Sequence, residues 1–321
     1  MKTQLAYILI ILLVIINVSG CSKRVNDNTK LTVVITDSLI TQDRLDRLIK
    51  VLKSRFDLNA IEGVEITESD NRTIEIILPT KFTNNSIKDL IESKGNFQIR
   101  EFPENEYVFS TMKKIDGILV SDSMKSNAAK NMEDITEEDF RELHPFFSIA
   151  LLNPQNRTAD AYILEKDVDK VKSILSQKDI IKIIPNDIEF LFSNTEQSAP
   201  DGRKFFVMYA LKKQESINEK DISKAESISS NSVMINLNEK GRKRFNELTA
   251  NNLGERLAIV IDGKVYSAPV VKGRISNGKL SVDNIVDKES TVILSTIFNS
   301  GSLPYSLKIV KEENIIEKEG E

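Results

Sequence analysis

Few residues in this 321-residue chain are equipped for metal or nucleophilic chemistry. It has one imidazole, His144, one thiol, Cys21, and no tryptophan. One His and one Cys cannot build a structural zinc site, and one Cys cannot close an internal disulfide. A catalytic triad would have to use His144, which stands beside Pro145 at an element boundary, with no serine or thiol motif nearby. That is the setting of a structural or surface residue. The composition leaves room for an oxygen-only Ca²⁺ or Mg²⁺ site and for Ser-Lys chemistry, yet no serine sits in a recognisable nucleophile motif. The expectation is therefore a protein without catalytic residues, metal or cofactor. The balance of 44 Lys+Arg against 48 Asp+Glu gives a net charge of −4. It lacks the basic excess that nucleic-acid binding calls for, so no nucleic-acid partner is expected.

Cys21 has a different chemistry. Residues 1–20 have the form of a targeting segment: Lys2, an almost unbroken apolar run from Leu5 to Val18, then Ser19 and Gly20. The run is shorter than the roughly 20 residues of a comfortable membrane span. Val18-Ser19-Gly20-Cys21 resembles a lipobox, in which the thiol is acylated before cleavage, making Cys21 the lipidation site and the membrane anchor. The alternative is an ordinary signal peptide, or a signal anchor, followed by a cysteine. Residues 21–30 read as a polar tether.

The elements needed to position anything further begin at Leu31. A strand at Leu31–Ile35 precedes a helix over Gln42–Phe56 that Thr41 can cap, with Leu45, Leu48, Ile49, Leu52 and Phe56 on one face. Strands at Gly63–Ile66 and Thr73–Leu78, a helix from Asn85 or Ser86, a C-cap at Gly95 and a strand at Asn96–Phe102 follow. The order β-α-β-β-α-β predicts a ferredoxin-like base over residues 31–105. Residues 106–304 form a larger, mixed head. Its early part suggests strands at Tyr107–Ser110 and Gly117–Ser121, an acidic helix at Ile135–Leu143, a strand at Ala159–Leu164, a helix at Asp167–Leu175 and a strand at Ile188–Phe192. Its later part predicts a strand at Phe205–Leu211, a short helix at Ile222–Ile228, a strand at Val233–Leu237 and a helix at Glu239–Leu248 capped by Asn238. A buried-type strand, Leu257–Ile261, then runs into the two-residue turn Asp262-Gly263, a structural turn of type I′. Lys264–Val271 returns as its partner, and Pro269 marks an edge or bulge. A helix at Glu289–Asn299 ends before Gly301. Residues 305–321 hold a final strand, Tyr305–Val310, able to return to the base, and a charged tail. The fold class is α+β: a ferredoxin-like βαββαβ base plus a larger mixed α/β head.

The stretch Asn252-Leu253-Gly254-Glu255-Arg256-Leu257-Ala258-Ile259-Val260-Ile261-Asp262-Gly263-Lys264-Val265-Tyr266-Ser267-Ala268-Pro269 closely resembles the signature of the SecD family. Asn236-Leu237-Asn238-Glu239-Lys240-Gly241 upstream and Gly301-Ser302-Leu303-Pro304 downstream extend the match, and Arg55 and the strand Ile74–Pro79 fit the family's base. Phe147-Ser148-Ile149 and Tyr209-Ala210-Leu211-Lys212 resemble the longer, fused SecD–SecF form. The resemblance spans residues 31–310 and is to the family's first extracytoplasmic domain, base and head. Family members continue past Gly-x-Leu-Pro into ion-coupling transmembrane helices. Only a short charged tail follows Pro304 here, which implies a lipoprotein without such helices. The resemblance implies a cell-envelope protein facing the periplasm or exterior. It would bind exported or unfolded polypeptide and assist Sec-dependent export, with the Sec translocon or a full-length SecD–SecF as a further partner. Strand addition along an exposed sheet edge beside an apolar groove would supply the binding. Phe206, Tyr266, Ser267 and Pro269 are the candidate polypeptide-binding residues. The other reading is an envelope scaffold or regulatory lipoprotein that holds one fixed protein partner.

Overall fold

The computed structural model describes residues 27–70, 72–79, 85–120, 136–152 and 158–316; Cys21 and the apolar run before it lie outside the described residues. The chain opens with β1 (Asp27–Ile35), α1 (Gln42–Leu58), β2 (Glu65–Asp70), β3 (Thr73–Pro79) and α2 (Asn85–Glu92). It continues through β4 (Phe97–Glu101), α3 (Asn105–Leu119), α4 (Glu137–Leu143), β5 (Leu151–Leu152), β6 (Ala161–Leu164), α5 (Val168–Leu175) and α6 (Lys178–Ile183). Next come β7 (Ile188–Ser193), β8 (Gln197–Ser198), β9 (Lys204–Lys212), β10 (Glu215–Asn218), β11 (Ile222–Ser227) and β12 (Val233–Leu237). The last third holds α7 (Glu239–Asn251), β13 (Leu257–Ile261), β14 (Lys264–Ser267), β15 (Lys279–Val282), α8 (Lys288–Ser300) and β16 (Leu307–Ile316). The α+β class is as expected.

The base sheet is four-stranded and antiparallel, in the order β16-β1-β3-β2. With β16 taken as the fourth strand, this is a ferredoxin-like arrangement, completed differently from the sequence expectation. The strand that follows α2 leaves the base: β4 pairs with β13 and β10 instead. Its vacated place is filled from the far end of the chain by β16, which pairs with β1 from Asp27↔Ile316 to Ile35↔Leu307. Residues 311–316, expected as a frayed tail, are therefore strand. Alternation along β3 sends Ile74, Ile76 and Leu78 into the core, where Leu45, Leu48, Leu52 and Phe56 of α1 meet them.

The head contains two sheets. A three-stranded one has the order β11-β12-β15. The larger has nine strands in the order β10-β4-β13-β14-β7-β9-β6-β5, with β8 also on β9. Because β9 turns directly into β10, and β10 pairs with β4, the sheet curls back on itself. Ion pairs Lys212–Glu101 at 3.1 Å and Arg100–Glu189 at 2.6 Å tie the strands that meet. Leu191, Leu211, Ala258, Val260 and Val265 fill the inside of the curl. Phe102 and Tyr209 pack against them, and the Arg256 guanidinium, bidentate on Asp160 at 2.7 and 2.9 Å, covers the Phe102 ring.

Two local expectations are overturned. The short strands foreseen at Tyr107–Ser110 and Gly117–Ser121 give way to helix α3 over Asn105–Leu119, because Val108, Met112 and Ile115 recur at helical spacing and pack under α5. Ile222–Ile228, foreseen as a helix, is strand β11. Its composition suits a helix, but pairing with β12 and the buried Ala225 on its inward side prevail. α6 and β10 carried no signal in the sequence. His144 ends α4 and holds Asp116 of α3 at 2.9 Å, while the other Asp116 oxygen accepts from Phe146 N at 2.9 Å. This contact ties the end of α4 to α3.

α8 joins base to head. It is buried on two sides, because it faces two cores: Ile293 and Ile297 enter the base cluster, Leu294 and Phe298 the head cluster, with the small buried Thr291, Ser295 and Thr296 between them. Beyond it the fully buried Tyr305 reaches back, and its hydroxyl accepts Thr41 N at 2.8 Å at the start of α1. Thr41 makes no side-chain cap there, and the Tyr305 hydroxyl instead satisfies the main-chain N–H of Thr41 itself. Tyr305→Phe should therefore lower the unfolding free energy by about 1–2 kcal/mol, read by urea denaturation, with α1 amides the first to lose hydrogen-exchange protection.

Candidate functional site

An apolar groove of about 720 Å³ opens on the head. Its floor is Ile99 of β4 with Leu257 and Ile259 of β13; α7 supplies Phe245 and Thr249, and residues 269–275 form the outer wall. The volume is typical of ligand-binding clefts. α7 stands where it does because Asn238 Oδ1 accepts Gly241 N at 2.9 Å, and because Gly241 has no side chain: a Cβ there would lie 2.7 Å from Asp221 Cβ. The outer wall is pinned by main-chain bonds. Leu257 N donates to Pro269 O at 3.1 Å, Val271 N to Glu255 O at 2.8 Å and Gly254 N to Val271 O at 3.0 Å. Thr249 Oγ1 accepts Ile275 N at 3.0 Å. Much of the 252–269 signature thus builds one side of the groove.

The far lip of the groove is a strand edge. Lys279, Leu280 and Ser281 of β15 all line it. Alternate side chains of a strand point to opposite faces, so a cleft touching three consecutive residues meets the strand edge-on. β15 pairs with β12 on one side, and no described strand pairs with the other. The opposite edge of the same sheet is blocked: Asn299 of α8 bonds both main-chain groups of Ala225 in β11, at 2.8 and 2.9 Å. The β11 edge is closed by a side chain; the β15 edge has no partner strand among the described residues and lies beside an apolar surface, with Lys279 N donating to Asn277 Oδ1 at 3.0 Å and Ser281 next along it.

The candidate residues do not form one site. Pro269 lines the groove. Ser267 is half-buried and pairs with Ile259. Tyr266 lies at a bulge in β14 and turns toward a different, smaller cleft shared with Asp89, Asp262 and Ile293. Phe206 packs against the core beneath α3 and α5, away from the groove. The groove residues that sequence reasoning missed are Phe245, Leu257, Ile259, Val270, Val271, Ile275 and Leu280. Val270, 49% exposed, follows the candidate Pro269 directly in the chain, and that adjacency was the one available signal.

Asp262 and Gly263 form the expected tight turn, with φ of 48° and 77°. The turn also does something a hairpin does not require. Asp262 Oδ1 accepts Asn96 N at 2.8 Å, Oδ2 accepts Gly95 N at 3.2 Å, and Asp262 N donates to Asn96 O at 3.0 Å. It therefore grips the chain where it passes from base to head. Arg55 grips the same place from the base. Wholly buried, it donates through Nη1 to Leu90 O at 2.7 Å and Ser93 O at 2.6 Å. Nη2 reaches Lys94 O at 3.4 Å and Gly301 O at 3.3 Å, and Nε reaches Ser300 Oγ at 3.3 Å. Burial pushes the guanidinium down to about 10, partly opposed by Asp262, so it stays charged at neutral pH. Gly95 must be glycine here: φ is 78°, and a Cβ would lie 2.7 Å from Ile297 Cγ2.

Among the described residues no group of three or more His, Cys, Asp or Glu is placed to hold a metal, and no helix is long and apolar enough to cross a membrane. The fold and groove define an α+β module with an open strand edge. The family described as "SecDF, P1 head subdomain" matches residues 192–305. Over those residues the chain is similar to the SecD and SecDF head. The SecD of Rhodothermus marinus is 21% identical over 293 residues, covering 85% of this chain and 47% of its own length. The SecDF of Thermus thermophilus is 38% identical over 79 residues, 25% of this chain and 11% of that one. SecD of Rickettsia conorii is 42% identical over 83 residues, 26% and 16%. A crystal structure of SecDF in a super-membrane-facing form shares the fold, with TM-score 0.54 and 18% identity over 96% of this chain and 34% of that one. The chain spans about half the length of its Rhodothermus relative and less of the others.

Arg55→Lys keeps the charge but loses the planar fork, and should cost about 2–4 kcal/mol in urea denaturation. Asp262→Asn should cost less, about 1–2 kcal/mol. Alkaline pH probes the buried tyrosines. Burial first, then Asp160, pushes Tyr209 up to about 12; burial, then Asp262 and Asp89, does the same for Tyr266. The unfolded chain releases these protons near 10 and the folded chain near 12, so their contribution is complete below pH 10 and is lost as pH rises to about 12. The loss should reach roughly 2 kcal/mol per tyrosine. Replacing both with Phe should flatten that slope.

Proposed function

We propose that this chain binds extended polypeptide on the extracytoplasmic side of a membrane and assists Sec-dependent protein export, held to the membrane by lipid on Cys21. The observation that carries the reading is the unpaired edge of β15 lying along an apolar groove. Such an edge offers main-chain donors and acceptors to any sequence, and the groove takes its apolar side chains. That combination suits a binder of many unfolded substrates. Similarity to proteins named as protein translocase subunits supports the setting. In this reading Pro269 and Val270 contact the polypeptide, and Ser267 and Tyr266 support the strand that leads to them. The Sec translocon or a full-length SecD–SecF is the partner that delivers the substrate.

A photocrosslinker placed at Val270 in cells carrying an arrested export substrate should trap the nascent chain. Capture of a single folded partner instead would favour a scaffold role and defeat this reading. Cys21→Ala should move the protein from the membrane to the soluble fraction; continued membrane association would show that the anchor is something other than lipid on that thiol.

A further inference from the structure

The groove is not electrically neutral. Lys272, Arg274 and Lys279 line its rim, and none of its lining residues is acidic, in a chain whose net charge is −4. Lys272 has no hydrogen-bond or ion-pair partner among the described residues. Arg274 donates through Nε to the neutral Asn246 Oδ1, so its charge is uncompensated. Lys279 donates to no carboxylate. Its field reaches Glu226 two strands away, which is held below the usual carboxylate range chiefly by Lys224, at 2.6 Å. Asp283 lies just past β15 and accepts the Ser281 hydroxyl at 2.7 Å. Glu239, on the outer face of α7, is engaged by Arg242 and Lys243 at 2.9 and 3.4 Å. The exposed carboxylates of Glu247 and Glu255 stand nearby but do not line the groove, and no carboxylate pairs with Lys272, Arg274 or Lys279 among the described residues.

We propose that the groove selects extended apolar segments that carry carboxylates beside their apolar residues, and disfavours segments flanked by lysine or arginine. This rests on the groove being a polypeptide dock. Three features define the occupant together: an open strand edge demands extended main chain, the apolar floor demands hydrophobic side chains, and the rim demands negative charge close to them. The loop that carries Lys272 and Arg274 is fixed by Gly254, Glu255 and Thr249, so the cations are presented rather than free to turn away. A strongly basic segment would bring like charge against the rim, where repulsion acts as a filter.

The test uses the full chain in phosphatidylcholine nanodiscs and short fluorescent peptides sharing one apolar, strand-forming centre. The flanks are glutamates, lysines or serines. Fluorescence anisotropy should rank affinity as glutamate above serine above lysine, with glutamate about fivefold above serine at low salt. Raising salt from about 0.05 M to about 0.5 M should bring the three together, because rim charges are screened. In a Lys272→Ser, Arg274→Ser, Lys279→Ser variant the glutamate-to-lysine ratio should fall to about one. Equal affinities of all three peptides for the unaltered chain would overturn the charge inference and leave the polypeptide dock standing. Failure of every peptide, the serine-flanked one included, would defeat the dock and the inference with it. Displacement of the glutamate peptide by phosphatidylglycerol vesicles, but not by phosphatidylcholine vesicles, would identify an anionic lipid as the occupant and overturn the proposal.

Discussion

A single buried guanidinium holds the place where this chain crosses between its two parts. The chain passes that point twice, after α2 and after α8, and each helix ends there with carbonyls that have no helical partner. Arg55 is wholly buried there and makes five contacts from one side chain, four of them to main-chain carbonyls. Asp262 does the complementary work on the amides of Gly95 and Asn96. A cation serves the carbonyl ends and an anion the amide ends, each from the opposite part of the molecule.

The rest of the head follows from that joint. Asp262 sits at the tip of the β13–β14 hairpin, so fixing it fixes β13, and β13 is the floor of the groove. α8 is held at its C-terminal end by Arg55 on Ser300 Oγ and Gly301 O, and it in turn places Asn299 against β11. One edge of the three-stranded sheet is thereby closed and the other left open. The open edge is a liability in most proteins, because it invites aggregation. Here it lies beside an apolar surface rimmed with lysine and arginine.

Much of this was legible in the residues. The Asp262-Gly263 turn, the buried strand before it, the Asn238 cap and the helix after it follow from turn chemistry and periodicity. Illegible were the pairings that depend on distant chain. β4 follows α2 at the spacing of a fourth base strand, and nothing local says that it pairs with β13 instead. β11 has the composition of a helix and becomes a strand only because β12 and Asn299 meet it. Arg55 looks like an ordinary basic residue in the last turn of α1, and its role appears only when two chain crossings separated by about two hundred residues converge on it. The groove escaped notice for the same reason: its floor, wall and lip come from β4, α7 and β15, which share no stretch of sequence.

The most direct measurement is hydrogen exchange at the Ser281 amide, followed residue by residue by NMR, with and without an extended apolar peptide. The account predicts that this outward-facing amide, unlike the alternate β15 amides that bond to β12, exchanges readily in the free protein and becomes protected when peptide is added. A Ser281 amide already protected in the free chain, or unchanged while peptide binds elsewhere, would contradict it.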